Sequence, residues 1–186
     1  MIDIVRKRSF APIVDQRTRL LILGSLPGEQ SLARQQYYGH PQNRFWQLMS
    51  EVVGIDLVPM DYSLRLRGLL QCGVGLWDVV GEANRAGSLD SAIRDHDSND
   101  LAGLLERFPS IAAIAFNGGT AYRLGLQTLG PLKAKYRLID LPSSSPAYTL
   151  AYEHKLRRWM VLREPLCELP DVDNTREPTA SDEKKP

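Results

Sequence analysis

The sequence predicts an α/β fold in which a central, mainly parallel four-stranded sheet is covered by helices on both faces. Two observations carry that prediction. Four short apolar runs each end in a glycine, proline or polar turn, as buried parallel strands do. Between them lie longer segments whose apolar residues recur at helical spacing, so strands and helices alternate along the chain.

The elements follow in order. Residues 1–18 form a basic lead-in, expected to pair at a sheet edge or to wrap the core. Arg19–Leu23 (RLLIL) is the first strand, ending at Gly24. Asn43–Val53 is a helix with Phe45, Leu48, Met49, Val52 and Val53 on one face. Tyr62–Gln71 is a second helix, stopped by Gly73. Val74–Val80 (VGLWDVV) reads as one strand. Ser98 is placed to cap a helix running to Arg107, which Phe108-Pro109 ends. Ile111–Phe116 (IAAIAF) is a third strand, with a helix from about Thr120. Tyr136–Leu141 is the fourth strand, and Thr149–Leu162 the last helix, with Tyr152, Leu156, Trp159 and Met160 on one face. In such sheets ligands lie beyond the carboxyl ends of the strands, so the loops Gly24–Gly28, Asn117–Gly119 and Pro142–Pro146 are expected to converge.

Composition narrows the function classes. With 43% hydrophobic residues in 186, the chain can bury a core. Residues 1–169 are expected to form one domain, and residues 170–186, polar and without aromatics, a disordered tail. No apolar run nears the roughly 18–20 residues of a membrane helix, and MIDIVRKRSF lacks the apolar core of a secretory signal. A cytoplasmic location is therefore expected. Two distant cysteines exclude a disulfide framework and a four-cysteine iron–sulfur cluster. Three histidines without ligand-like spacing argue against a protein-held metal. No cofactor is expected, and the chemistry falls to side chains and backbone dipoles. Net charge is only +1, so nucleic-acid binding would need a local basic patch.

Five constellations are candidates for that chemistry. Gly24-Ser25-Leu26-Pro27-Gly28 is a tight strand–helix turn whose backbone N–H groups can face a ligand; it lacks the lysine of a phosphate-binding P-loop. Glu29 and Ser31 open the helix behind it. In Tyr37–Trp46, Tyr38 can stack on a base, His40 is stiffened by Pro41, and Asn43 can hold a water by its amide oxygen. Asn43 is also well suited to cap the following helix, the role its residue type alone favours, and the two uses compete for one oxygen. Asn117, at the tip of an apolar strand, can offer a donor and an acceptor to a base edge or satisfy its own turn. Ser143, Ser144 and Ser145, held by Pro142 and Pro146, suit phosphate oxygens or a plain surface turn. Lys155, Arg157, Arg158 and Arg163 make a basic helix face after that loop, open to phosphates or simply to solvent.

Taken together these motifs resemble the uracil-DNA glycosylase superfamily, closest to its hypoxanthine-DNA (deoxyinosine) glycosylases. LILGSLPGEQSLARQQYYGHPQNRFW is similar to the first motif and its following loop; GVGLWDVV, IAFNGGTAY and LPSSSPAY resemble later motifs, in order, over roughly residues 19–160. Mismatch-specific uracil and thymine glycosylases share the HPxNRFW pattern and form the second resemblance. The resemblance implies a three-layer α/β/α sandwich and a monofunctional hydrolase that acts, as an expected monomer, on double-stranded DNA carrying a deaminated base and leaves an abasic site. Leu26 stands where other branches carry Asn or Asp, and cannot activate water. The resemblance shifts that duty to Asn43, with Glu29 in reserve. Tyr38, His40, Asn117 and the Gly24–Gly28 loop would hold the flipped base. Ser143–Pro146, Lys155 and Arg158 would grip the DNA backbone. Tyr148 departs from the asparagine expected at its position. Leu26 also leaves a catalytically silent nucleic-acid-binding domain as an alternative.

Overall fold

A computed structural model describes residues 6–167; the tail expected at 170–186 lies outside them. The four apolar runs do form one parallel sheet. Its strands are β2 (Leu20–Gly24), β3 (Val74–Asp78), β6 (Ala113–Asn117) and β7 (Arg137–Leu141), in the spatial order β3-β2-β6-β7. All residues of β2, β3 and β6 are buried, which is why they read as unbroken apolar runs rather than alternating ones.

Alternation along the strands sorts two cores. Leu20, Ile22, Leu76 and Ala115 face α2 (Phe45–Val53), α3 (Tyr62–Gln71) and α6 (Tyr152–Trp159). Leu21, Leu23, Ile114 and Phe116 face α4 (Leu101–Arg107) and α5 (Gly119–Leu129). The result is the three-layer α/β/α sandwich. The α2 stripe buries Phe45, Trp46, Leu48, Met49 and Val52. Each such side chain contributes about 1.5–3 kcal/mol by leaving water.

Chain order reverses at β2: β3 lies on one side of it and β6 on the other. That switch opens a crevice over the carboxyl ends of β2 and β6, at Gly24 and Asn117. Register aligns the four tips, with Gly24 beside Asp78 and Asn117 beside Leu141.

Three readings need correction. Val74–Val80 is not one strand. β3 stops at Asp78, and β4 (Val80–Arg85) opens a second, antiparallel sheet with β1 (Lys7–Arg8) and β5 (Ile93–Ser98), in the order β1-β4-β5. Val79 and Val80 turn away because their N–H groups donate to the carbonyls of Gly24 and Ser25, at 2.8 and 3.0 Å. Ser98 ends β5 rather than capping a helix; Asp100 caps α4, its carboxylate accepting from Gly103 N at 2.9 Å. The last helix is shorter than expected, beginning at Tyr152 and tightening into a 3₁₀ turn at Met160–Leu162 before α7 (Arg163–Cys167). The lead-in does both things expected of it: Lys7–Arg8 pairs with β4, and Ile13 bridges to Leu76. Among the described residues no helix is long and apolar enough to cross a membrane.

α5 lies unusually close to the sheet. A Cβ on Gly125 would fall inside the van der Waals shell of the fully buried Phe116 ring. Gly125→Ala should therefore lower stability by about 1–2 kcal/mol, overpacking outweighing the gain in helix propensity. Urea unfolding at unchanged slope checks this.

Candidate active site

The crevice is a cavity of about 510 Å³, within the range of small-ligand sites. Its walls come from Gly24–Ser31, Tyr37, Tyr38, His40, Asn43, Asp78, the Ser88–Asp90 turn, Asn117 and the Ser143–Tyr148 loop.

The glycine loop is fixed from behind by Arg85, which is buried and donates to the carbonyls of Leu26 (3.0 Å) and Pro27. Pulling those carbonyls back is a prerequisite for turning loop N–H groups toward a ligand. Ser25 is 7% exposed and donates to Asp90 Oδ1 at 2.6 Å. Arg85 lies 4.0 Å from the same carboxylate. Burial raises the Asp90 pKa, and the Ser25 hydrogen bond and Arg85 oppose it. Leu26 is buried and lends the loop an apolar wall. Ser88 Oγ accepts from the Glu29 N–H at 2.9 Å. Glu29 itself is exposed and bound to Lys7 at 2.9 Å, which holds its carboxyl below the usual range.

Tyr38 adopts a left-handed backbone, φ +54°, uncommon for a bulky residue and a local strain that its surroundings must hold. One ring face stacks on Phe45, with centroids 3.7 Å apart and planes inclined by 12°. Its hydroxyl is buried and makes no well-aligned hydrogen bond among the described residues. Burial raises that hydroxyl's pKa far above normal; Asp78 adds to the rise, and the Asn117 amide opposes it. His40 lines the cavity with Nδ1 accepting from Gln42 N at 3.1 Å.

For Asn43 the structure gives the cap its share. Oδ1 accepts the Phe45 N–H at 3.0 Å, bridging into the first turn of α2. The residue is half-buried and still lines the cavity. A carbonyl oxygen has two lone pairs, so one bond fixes the amide and leaves the other pair for a water.

The residues expected to read the base and grip the backbone also bond within the protein. Asn117 is at the cavity, but its amide is engaged at both ends: Nδ2 donates to Ser144 Oγ, and Oδ1 accepts from Ser144 N, each at 2.8 Å. Ser144 is fully buried, and its hydroxyl serves as a strut between the two loops. Gly118 at φ +101° lets Ser143 approach to 3.0 Å of where a Cβ would stand. Lys155 is 3% exposed, not on a solvated face; Nζ donates to the carbonyls of Ser145 (3.2 Å) and Tyr148 (2.7 Å), and burial lowers its pKa. Lys155 thus braces the serine loop, as does Trp159, whose Nε1 donates to Pro142 O at 2.9 Å. Arg158 is exposed and donates to Asp140 O at 3.3 Å. Ser143, Ser145 and Pro146 remain on the cavity rim.

Sequence reasoning missed Asp78 and Asp90. Asp78 closes the cavity at the tip of β3 and is 4% exposed. Burial pushes its carboxyl up to about 7, with Asp90 adding to the rise and Ser9 and Arg85 opposing it. A polar residue inside VGLWDVV was a signal of the kind that singled out Asn117. Asp90 and Arg85 gave none, since the polar β4–β5 ribbon was not read as structure. Among the described residues no three metal-ligating side chains come together.

The Uracil DNA glycosylase superfamily profile matches residues 11–164, and the chain belongs to that superfamily. A protein of Methanosarcina acetivorans named hypoxanthine DNA glycosylase is 41% identical over 155 residues, covering 82% of this chain and 95% of the relative. One of the same name from Methanosarcina barkeri is 41% identical over 157 residues, covering 83% and 96%. A solution NMR structure from Methanosarcina acetivorans, assigned to the uracil DNA glycosylases, superposes with a TM-score of 0.75 at 39% identity, covering 87% of this chain and 99% of that one.

Replacing Asn117 by leucine, similar in volume, would leave the Ser144 N–H and hydroxyl buried and unpaired. We expect a loss of about 2–4 kcal/mol, as two orphaned polar groups cost. Chemical denaturation measures it, and an unchanged midpoint would contradict the strut assignment.

Proposed function

We propose that this protein is a monofunctional DNA glycosylase that takes hypoxanthine, the product of adenine deamination, out of the duplex into the crevice and hydrolyses its N-glycosidic bond. One observation carries the reading. Asn43 lines the crevice together with Tyr38, and the one hydrogen bond its amide oxygen accepts, from Phe45 N, fixes the amide while leaving a lone pair for a water. The likeness to two relatives named hypoxanthine DNA glycosylase supplies the base.

The chemistry follows from those groups. Breaking the bond places positive charge on the sugar and negative charge on the base, and each tenfold in rate needs about 1.4 kcal/mol of transition-state stabilisation. Asn43 Oδ1, oriented by the Phe45 N–H, holds a water beneath C1′. Backbone N–H groups of the glycine loop, held by Arg85, stabilise the charge building on the base. Ser143 and Ser145 at the rim meet the DNA backbone. Glu29 drops out as the reserve base, because Lys7 holds its carboxylate. Extruding the base costs a few kcal/mol, least at a mispair, which favours damaged sites. The likeness to relatives named for a glycosylase supports an enzyme over a silent DNA-binding domain, with Asn43 proposed to supply what Leu26 lacks.

Two outcomes are expected. On duplexes carrying inosine, uracil or thymine mispairs, inosine should give the fastest alkali-sensitive strand scission in a gel assay. Uracil or thymine cut in preference would favour the mismatch-specific reading. Asn43→Ala should lower the single-turnover rate at least about 100-fold, the scale of a lost catalytic positioning group. It should also cost about 1 kcal/mol of stability through the lost helix-start bond, while DNA affinity by fluorescence anisotropy stays unchanged.

A further inference from the structure

Two polar atoms at the floor of the crevice make no hydrogen bond among the described residues. Asp78 sits at the tip of β3 directly beside Gly24 in the register. Its Oδ2 is fixed by the Ser9 hydroxyl at 2.9 Å, while Oδ1 accepts no hydrogen bond among the described residues. The Tyr38 hydroxyl is the second such atom, buried and unpartnered. Both close over the same spot: a methyl on Gly24 would lie 2.5 Å from Asp78 Oδ1 and 3.4 Å from Tyr38 Oη. The missing side chain at Gly24 therefore keeps open a small polar niche that opens to the cavity. Native structures rarely leave a buried hydroxyl such as that of Tyr38 unmet, and a ligand that reaches it and Asp78 Oδ1 together is one of the few explanations.

We propose that Asp78, through the hydroxyl of its carboxylic acid, donates a hydrogen bond to the oxo edge of the extruded base, with the Tyr38 hydroxyl beside it, and so distinguishes a deaminated base from its amino parent. The inference rests on the glycosylase reading and names what reads the base once Asn117 is committed to Ser144. A donor facing position 6 of a purine meets the carbonyl oxygen of hypoxanthine but opposes the N–H of adenine. A site built to pair one polar group rejects the analogue that leaves it unpaired. The same donor stabilises negative charge as it builds on the leaving base, from a preorganised, dry position.

The acid must stay neutral to donate, and its surroundings favour that. Asp90, from the turn after β4, and the hydroxyls of Tyr37, Tyr38 and Tyr62 face it without neutralising charge; Arg85, from β4, is the cation acting on it among the described residues and is shared with Asp90. With the Asp78 carboxyl at about 7, ionisation above neutrality removes the donor and puts a negative charge against the oxo group. Activity should be present below that point and fall as pH rises through it.

The test is the pH profile of the single-turnover rate for wild type, Asp78→Asn and Asp78→Leu, on an inosine–thymine duplex, with DNA affinity measured alongside. Wild type should lose rate above pH about 7, at about tenfold per pH unit. Asp78→Asn keeps a donor that does not titrate, so its profile should stay flat there. Asp78→Leu should lose about 100-fold at every pH, with DNA affinity kept, as when one preorganised donor is removed. An alkaline fall that persists in Asp78→Asn, or a wild-type rate in Asp78→Leu, would overturn the assignment. Should wild type release uracil and not hypoxanthine, the substrate reading fails, and the same profiles taken on uracil, through its own oxo edge, still decide the role of Asp78.

Discussion

Two hydrogen bonds between the Asn117 amide and Ser144 hold the site together. They join the tip of β6, at the centre of the sheet, to the serine loop beyond β7. Without them the serine loop would lose its side-chain tie to the tip of β6, and that wall of the crevice would loosen. The serine loop in turn reaches the third wall: Arg44 N donates to Ser144 O at 3.0 Å, just after Asn43. One buried side chain thus sets the distance between the serine rim and the amide proposed to hold water.

The same principle recurs on the opposite wall. Arg85 is a buried cation spent on loop carbonyls and not on a ligand, and Lys155 plays that part for the serine loop. Burying charges this way is expensive unless every donor finds an acceptor. Here the carbonyls of Leu26, Pro27, Gly87, Ser145 and Tyr148 supply them. The molecule spends its basic residues on rigidity, so that stacking ring, amide and backbone N–H groups are in place before DNA arrives. Preorganisation of that kind is what electrostatic stabilisation of a short-lived charge requires.

The sequence made the framework legible because burial on both faces leaves a plain signature. RLLIL and IAAIAF could be little else than central strands, and the Phe45–Val52 stripe could only be a helix against them. The β4–β5 ribbon was illegible for the opposite reason: VGEANR and IRDHDS are polar, and β5 is almost wholly exposed. Its absence from the reading hid Arg85 and Asp90 as well. The site was legible as a set of loops but not as a set of roles. Ser144, Lys155 and Asn117 have the chemistry of ligand contacts, yet tertiary neighbours, invisible to local spacing, turned each inward. Asp78 was passed over because an acid inside an apolar strand looked like part of the strand.

The account's central claim is that one wall-to-wall crevice holds an extruded deaminated base with its sugar facing Asn43. A crystal structure with a duplex carrying an uncleavable, fluorinated deoxyinosine tests it most directly. The base should lie against Tyr38 between the glycine and serine loops, with an ordered water on Asn43 Oδ1 beneath C1′. A base left stacked in the helix, or a water held at C1′ by Asp90 while Asn43 faces only its own helix, would contradict it.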